Sequence, residues 1–219
     1  MSQVAQAITL TGSTALVTEY FGFAMNSILY QRGVYPAEQF TLVHKYGIPL
    51  YITNNEKLSE YMGHLLQQVI EWISGGECSR LVLLLLEAET EVVVERWEFV
   101  LEQTSQPSVP MSSAYNTKAA QVMYNTRCPP GGKKSEEEVR RDIQGVMRQI
   151  TSCVSFLPTL SGKPLVFDVL VYTTATTTAP ADGSWELSDP KLIEQGSVFH
   201  LKSFHTSHHG VNTAVSFKE

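Results

Sequence analysis

Four histidines near the carboxyl end are the residues of this sequence best suited to bind a metal. His200, His205, His208 and His209 fall within ten positions, and imidazole nitrogens can ligate zinc or copper. Acidic or cysteine ligands at a suitable spacing are missing around them. We therefore interpret the group as surface histidines on a strand and its turn. A pH-responsive patch is the other interpretation, because imidazole titrates near neutrality.

The cysteines and glycines form no recognisable catalytic motif. Cys78, Cys128 and Cys153 lie far apart without a C-x-x-C pair, which disfavours a disulfide framework and a cysteine-based zinc site. The sequence has no phosphate-binding loop, nucleophile elbow, zinc-protease helix or dinucleotide-binding glycine motif, and the glycine pair in ISGGECSR has no lysine in phosphate-binding register. We expect a protein that is not an enzyme and that uses no cofactor or metal.

Composition and charge narrow the class of partner. The chain has 219 residues, 43% of them hydrophobic, which suits one globular domain. Its 16 Lys and Arg against 22 Asp and Glu give a formal net charge of -6, which repels nucleic acid and anionic membrane surfaces. No secretory signal and no apolar run of the ~20 residues needed to span a membrane is present. We expect a reducing compartment, the cytoplasm or the nucleus.

Three segments carry the hydrophobic period of a helix. The predicted helices are Thr11–Arg32, Leu58–Ile73 and Ser135–Val154. Each start has polar capping candidates: Thr11 or Ser13 for the first helix, Asn54 or Asn55 for the second, and a Ser135–Glu138 capping box for the third. Glycines end the first two helices, at Gly33 and at Gly75 with Gly76. On the third helix Arg141, Arg148 and Gln149 point away from the apolar stripe, so they must face solvent or a partner.

The remaining apolar segments are typical of strands. A hairpin is predicted over Phe40–Thr53 with its tip at Tyr46 and Gly47, and Leu81–Leu86 reads as a strand buried on both faces. A half-buried strand follows, in which one face carries Val93, Trp97, Phe99 and Leu101. The run KPLVFDVLVYT is apolar on nearly both faces, which predicts a central strand paired on each side.

Two long segments look unlike the rest. Residues 103–134 are rich in Ser, Pro, Asn and Gly, and we interpret them as a surface insertion. The last ~45 residues contain breakers and few core formers until VFHLKSF and VNTAVSF, which are typical of a terminal hairpin. Loose connections that end in a hairpin are unusual for the terminus of a compact domain.

Several segments together resemble one family. The sequences SILYQRGVYP, KYGIPLYIT, VVVERWEF, RQITSCVSFLPTL and FHLKSF with VNTAVSFK are similar to those of HORMA-domain proteins of the mitotic-arrest-deficient, spindle-checkpoint kind. The resemblance spans nearly the whole chain. SILYQRGVYP is also shared with the HORMA accessory subunit of a DNA-repair polymerase, which is therefore the alternative function.

The resemblance implies an α+β fold in which a mostly antiparallel sheet is backed by three helices. It implies a single HORMA domain over residues 8–219, with a core at 8–173 and a mobile C-terminal safety belt at 174–219. In this family the belt occupies one sheet edge in an open form and crosses to the other edge in a closed form. A short peptide then adds a strand to the vacated edge, and the belt passes over it.

The resemblance also implies residues for peptide binding and for control of the conformers. The exposed strand edge corresponds to Leu165–Thr173, where Phe167, Val169 and Val171 line the peptide. Trp72 corresponds to a tryptophan that packs against the rearranged tail. Leu10 corresponds to a leucine that helps decide between open and closed forms.

A dimerisation surface follows from the same resemblance. Arg148 and Gln149 correspond to the pair through which open and closed copies dimerise, and Phe156 and Arg32 are assigned to the same surface. The implied partners are peptides of a coiled-coil checkpoint scaffold and of the mitotic activator of the anaphase-promoting complex, together with an AAA+ ATPase that reopens the closed form. The expected locations are the nucleus, kinetochore and cytoplasm.

Overall fold

The structure, a computed structural model, describes residues 8–103, 134–160, 162–174, 177–180 and 183–218. The predicted insertion at 103–134 lies outside the described residues apart from its two ends. The described helices are α1 (Leu10–Gln31), α2 (Glu56–Ser74) and α3 (Glu136–Cys153), with a 3-10 turn at Ala37–Gln39. The strands are β1 (Phe40–Lys45), β2 (Ile48–Thr53), β3 (Cys78–Glu87), β4 (Val93–Gln103), β5 (Leu165–Thr173), β6 (Ser197–His200), β7 (Phe204–His205) and β8 (His209–Phe217).

Local signals start and stop the helices largely as the sequence predicts. Asn55 caps α2 by accepting from the Leu58 N–H, and the Ser135–Glu138 capping box of α3 is complete. The cap predicted for α1 is wrong. Thr9 caps that helix by accepting from the Gly12 N–H, while Ser13 lies one turn inside it and is buried.

The strands form two antiparallel sheets. β1 and β2 make the predicted hairpin, whose tip residues Tyr46 and Gly47 have φ angles of 51° and 72°. The main sheet has the order β5-β3-β4-β8-β6, and β7 pairs with β8. The tail strand β8 therefore lies against β4, with β3 between β4 and β5.

The core lies between the helices and one face of the main sheet. α1 is its centre, because it contacts α2, α3, β2 and β8. Its side chains Val17, Tyr20, Phe21 and Ala24 are at most 1% exposed. Burial of a large apolar side chain contributes about 1.5 to 3 kcal/mol, so packing of this helix contributes substantially to stability. Trp97 of β4 is buried in the same core.

A β-bulge corrects the predicted alternation of β4. Leu85 pairs with Glu95 and Leu86 pairs with Val93, so one residue of β4 is extra at this point. An extra residue reverses which face the following side chains occupy. Val93 therefore packs with Leu86 on the face away from the helices, and its predicted position beside Trp97 is wrong.

The position of β5 in the sheet also differs from the apolar pattern. Among the described strands β5 pairs only with β3, so it is an edge strand rather than a central strand paired on each side. Apolar residues on both faces of a strand indicate that both faces are covered by other side chains. They do not indicate whether another strand pairs with each edge. The open edge implied by the family resemblance is the one that the structure has. Within the described residues no helix is long and apolar enough to cross a membrane.

Candidate functional site

The open edge of β5 presents backbone hydrogen-bonding groups at alternate residues. The Ala88 N–H donates to the Pro164 carbonyl, and hydrogen-bonded pairs alternate with non-bonded pairs along an antiparallel ladder. Phe167, Val169 and Val171 occupy the non-bonded positions. Their N–H and carbonyl groups therefore point away from β3, towards the edge of the sheet.

The side chains of these three residues point towards the helices, where they join an apolar surface. The ring of Phe167 contacts Tyr35 at 6.2 Å and Tyr61 of α2 at 5.7 Å, measured between ring centroids. Burial, and next the charge of Asp168, raise the pKa of Tyr61, which therefore stays a neutral phenol at physiological pH. The edge is thus polar along its backbone and apolar beneath it.

The segment between β5 and β6 contacts elements on both sides of the sheet. Its described parts, residues 174, 177–180 and 183–196, contain no helix or strand. Trp185 packs on Trp72 of α2 with ring centroids 4.8 Å apart, on the helix side. Lys191 forms an ion pair with Asp168 at 3.1 Å on the opposite face of β5. These described residues are the first part of the predicted safety belt, and we use the name belt for them alone and the name tail for the residues that follow.

The tail beyond the belt is anchored to the core by pairing and by buried polar contacts. β8 pairs with β4 from His209 to Phe217. The Tyr20 hydroxyl of α1 hydrogen-bonds to Thr213 at 2.8 Å. At the turn before β8, Ser13 Oγ hydrogen-bonds to Thr206 at 2.5 Å and to His209 Nδ1 at 2.6 Å. The tail is therefore held by the edge of β4 that lies opposite β3.

Comparison with known proteins identifies this architecture. The HORMA domain family matches residues 13–209. The chain is 41% identical to the mitotic spindle checkpoint protein MAD2 of Zea mays, over 97% of this chain and 92% of the relative. It is 39% identical to the mitotic spindle checkpoint component MAD2 of Saccharomyces cerevisiae, over 98% and 100% respectively.

This chain belongs to the HORMA-domain family. Its relatives place it with the MAD2 spindle-checkpoint proteins, so the predicted family and α+β HORMA fold are confirmed. The mitotic spindle assembly checkpoint protein MAD2B of Bos taurus is 30% identical over 45% of this chain and 45% of the relative.

Solved structures agree with this assignment. A chain in the crystal structure of the mitotic checkpoint complex superposes with a TM-score of 0.77 at 31% identity, over 95% of this chain and 99% of that one. The Caenorhabditis elegans HORMA protein HTP-2, bound to the HIM-3 closure motif, superposes with a TM-score of 0.77 over 97% of this chain and 92% of that one. At 13% identity the second match shows the fold alone.

The residues assigned to dimerisation of this HORMA domain fall into two environments. Arg148 is exposed and Phe156 is 49% exposed, so both lie on the surface near the end of α3. Gln149 is half-buried because its Oε1 accepts from the Lys202 N–H at 2.6 Å, and Phe156 packs on Phe199 of β6 at 4.7 Å. This surface is therefore built partly from the docked tail.

Arg32 does not lie on that surface. Its side chain is 5% exposed, and it forms an ion pair with Glu95 at 2.5 Å and donates to the Pro158 carbonyl at 2.5 Å. Glu95 also accepts from the Trp97 indole N–H. Burial raises the pKa of Glu95, and the adjacent Arg32 opposes that shift. Dimerisation through Arg32 stays a prediction, but the contacts of its side chain are those of a buried structural ion pair.

Two further predictions concern Leu10 and the histidines. Leu10 is 48% exposed at the start of α1, and its control of the conformers stays a prediction. The surface interpretation of the histidines is wrong for His209, which is 1% exposed because its turn folds onto α1. His200 alone of the four is exposed. No cluster of three or more His, Cys, Asp or Glu able to hold a metal occurs among the described residues.

Sequence reasoning missed the polar residues that tie the belt and tail to the core. Asp168 and Lys191 are 23 positions apart, and Ser13 and His209 are 196 apart. No local period links residues at such separations. The one available signal was Asp168 itself, a charge inside the otherwise apolar run LVFDVLVYT.

Proposed function

We propose that this HORMA protein is a spindle-assembly checkpoint adaptor that entraps a short peptide as an added strand on β5, beneath the belt. The observation that carries the proposal is the open edge, where Phe167, Val169 and Val171 direct backbone N–H and carbonyl groups away from β3, between the two belt contacts. Added strands gain affinity from backbone hydrogen bonds, and pockets for alternate side chains select the sequence. The apolar surface around Phe167 and Tyr61 is where alternate side chains of the peptide would pack.

The position of the tail supports a switch between two conformers. In the described conformer β8 pairs with β4, which leaves the edge of β5 to a peptide. If the tail paired with β5 instead, it would occupy the edge that the peptide needs. Peptide binding then shifts the population towards the tail-on-β4 conformer only by its preference for that conformer.

The checkpoint relatives support the identity of the guests. We infer that they are peptides of a coiled-coil checkpoint scaffold and of the mitotic activator of the anaphase-promoting complex, and that holding the activator delays anaphase. Open and closed copies form a homodimer through α3. An AAA+ ATPase detaches the tail and so returns the closed form to the open form. This role requires the nucleus, kinetochore and cytoplasm as locations. The protein acts by binding rather than by catalysis.

Proline at position 169 tests strand addition directly. Val169→Pro removes an N–H that β3 does not use, and proline is tolerated in edge strands where the lost N–H faces outwards. We expect the variant to fold, with a melting temperature within about 5 °C of wild type, and to bind peptide about tenfold more weakly or worse. Peptide affinity is measured by fluorescence anisotropy, with the tightest binder from a random 15-residue display library.

Val169→Ala is the matched control, because it shortens the side chain and keeps the N–H. Val171→Pro repeats the test at a second outward position in case Val169→Pro does not fold. Strand addition at this edge is wrong if both proline variants fold and bind peptide as tightly as Val169→Ala. A pull-down from dividing cells then identifies the natural guests, which are the proteins that bind wild type but do not bind Val169→Pro. A polymerase subunit among these proteins would favour the alternative function.

A further inference from the structure

Asp168 is the single charged residue of β5. The other eight residues are apolar, Tyr or Thr, and the side chain of Asp168 lies on the face away from the helices, opposite the fully buried Leu84. A carboxylate adds no hydrophobic stabilisation to such an apolar strand, but Asp168 is partly exposed and both of its oxygens make contacts at this edge.

The two carboxylate oxygens of Asp168 make different contacts. Oδ1 accepts from the Val169 N–H at 2.8 Å, and this N–H is one of those directed to the open edge. Oδ2 pairs with Lys191 Nζ of the belt at 3.1 Å. One side chain therefore joins the peptide-binding edge to the belt that passes over it.

Lys191 is held in a conformation that needs support. Its φ angle is 45°, in the left-handed region that residues with a Cβ occupy at an energetic cost. The ion pair with Asp168 is formed while Lys191 has this backbone conformation. It also fixes the belt on the outer face of β5, while Trp185 fixes it to α2 on the helix side.

We propose that Asp168 and Lys191 form a latch that sets how long a guest peptide is retained. The inference rests on the proposed function, because it concerns the same edge. A guest carbonyl competes with Asp168 Oδ1 for the Val169 N–H. Once the guest has taken that N–H, both carboxylate oxygens are available to Lys191, so a bound guest strengthens the contact that keeps the belt closed.

The latch acts on dissociation more than on association. A guest beneath the belt leaves only after the belt opens, and opening breaks the ion pair. The two side chains are 36% and 42% exposed, and ion pairs at such exposure are weak and screened by salt. We therefore expect loss of the latch to speed dissociation about two- to fivefold at low salt.

The test compares variants of the latch with a variant of a similar ion pair elsewhere. Lys191→Met and Asp168→Asn remove the latch, and Lys191→Arg keeps the charge. Lys163→Met is the matched control, because Lys163 pairs with Glu87 at 2.5 Å at the other end of the same two strands, away from Asp168. Dissociation of the library-selected peptide is followed by competition with unlabelled peptide, in 50 mM and 500 mM NaCl.

We expect faster dissociation for Lys191→Met and Asp168→Asn in low salt, with no further loss in the double variant. In high salt the dissociation rate of wild type should approach that of these variants. Lys191→Arg and Lys163→Met should dissociate at the wild-type rate in both salt concentrations. Equal dissociation of Lys191→Met and wild type in low salt would overturn the latch.

Hydrogen exchange in the absence of peptide separates failure of the latch from failure of the proposed function. Lys191→Met should speed amide exchange across residues 185–196 relative to wild type and to Lys163→Met. Unchanged exchange there overturns the latch even if peptides bind. A display selection that enriches no peptide overturns the proposed function, and a change in exchange would still support the contact between belt and strand.

Discussion

The buried imidazole of His209 makes docking of the tail sensitive to pH. Burial, and next the neighbouring His208, lower the pKa of His209 below its usual value of 6.5. A released tail therefore binds a proton near pH 6.5 that the docked tail does not bind. Docking is fully favoured above that pH and weakens as the pH falls below it. Burial, and next Lys134, also lower the pKa of His205, which acts in the same direction.

We expect amide protection of residues 209–217 to fall between pH 7.5 and pH 5.5, as measured by hydrogen exchange corrected for the intrinsic rate at each pH. His209→Asn keeps an amide near the position of Nδ1, where it can still bond to Ser13, but it cannot titrate. The dependence on pH should therefore be shallower in this variant, and His205→Asn gives the contribution of the other ring. A wild-type profile without pH dependence would contradict the prediction.

At the scale of the element, α3 presents a surface that combines its own residues with the docked tail. Among the described residues the Arg148 guanidinium forms no ion pair, whereas Gln149 Oε1 accepts a hydrogen bond from the Lys202 backbone N–H. Replacing both residues at once would therefore disturb the tail as well as the surface. We expect Arg148→Glu alone to leave the melting temperature within about 2 °C of wild type, as is usual for an exposed position, and to abolish dimers in sedimentation velocity.

Arg141→Glu is the control for this reversal of charge, because Arg141 is also exposed on α3. It should dimerise like wild type. If both variants dimerise normally, the surface at the end of α3 is not the dimer interface. If both lose dimers equally, net charge rather than this surface determines association.

The elements that the sequence predicts well are those set by local signals. The stripe of α3 and its Ser135–Glu138 box determine that helix within one chain segment, and Tyr46 with Gly47 does the same for the hairpin. The sequence predicts β4 less well, because the bulge beside Leu86 depends on the partner strand. The edge position of β5 could not follow from its own residues either, since neighbours in a sheet are chosen by the rest of the chain.

At the scale of the whole molecule, the Arg32–Glu95 pair ties the end of α1 to the main sheet. Both side chains are at most 5% exposed. Removing one member of a buried ion pair leaves an uncompensated charge and costs about 3 to 5 kcal/mol. We expect Arg32→Met to lower the free energy of unfolding by about this amount in urea titrations.

Adding Glu95→Gln to Arg32→Met should recover part of that loss, because no buried charge then remains. Arg140→Met is the matched control. It breaks an exposed pair with Glu136 on α3, so it should cost less than about 0.5 kcal/mol. An equal small loss for Arg32→Met would show that the ion pair is not structural.

The sequence alone predicts the candidate site only in part, because the site depends on contacts between distant parts of the chain. The lining residues Phe167, Val169 and Val171 follow from the family resemblance alone. The fastening residues Asp168 and Lys191 depend on where the belt runs, which no period in the sequence encodes. The burial of His209 likewise depends on the tail meeting α1.

The alternation of outward backbone groups along β5 limits which sequences can bind. Successive side chains of an extended guest point to opposite faces, so one set meets the aromatic floor near Tyr61 and the other set meets the side of the sheet that carries Asp168. Sliding the guest by one residue exchanges the two sets. A suitable guest must therefore have different residue types at alternate positions of its sequence. A peptide of the same composition in scrambled order should bind more weakly.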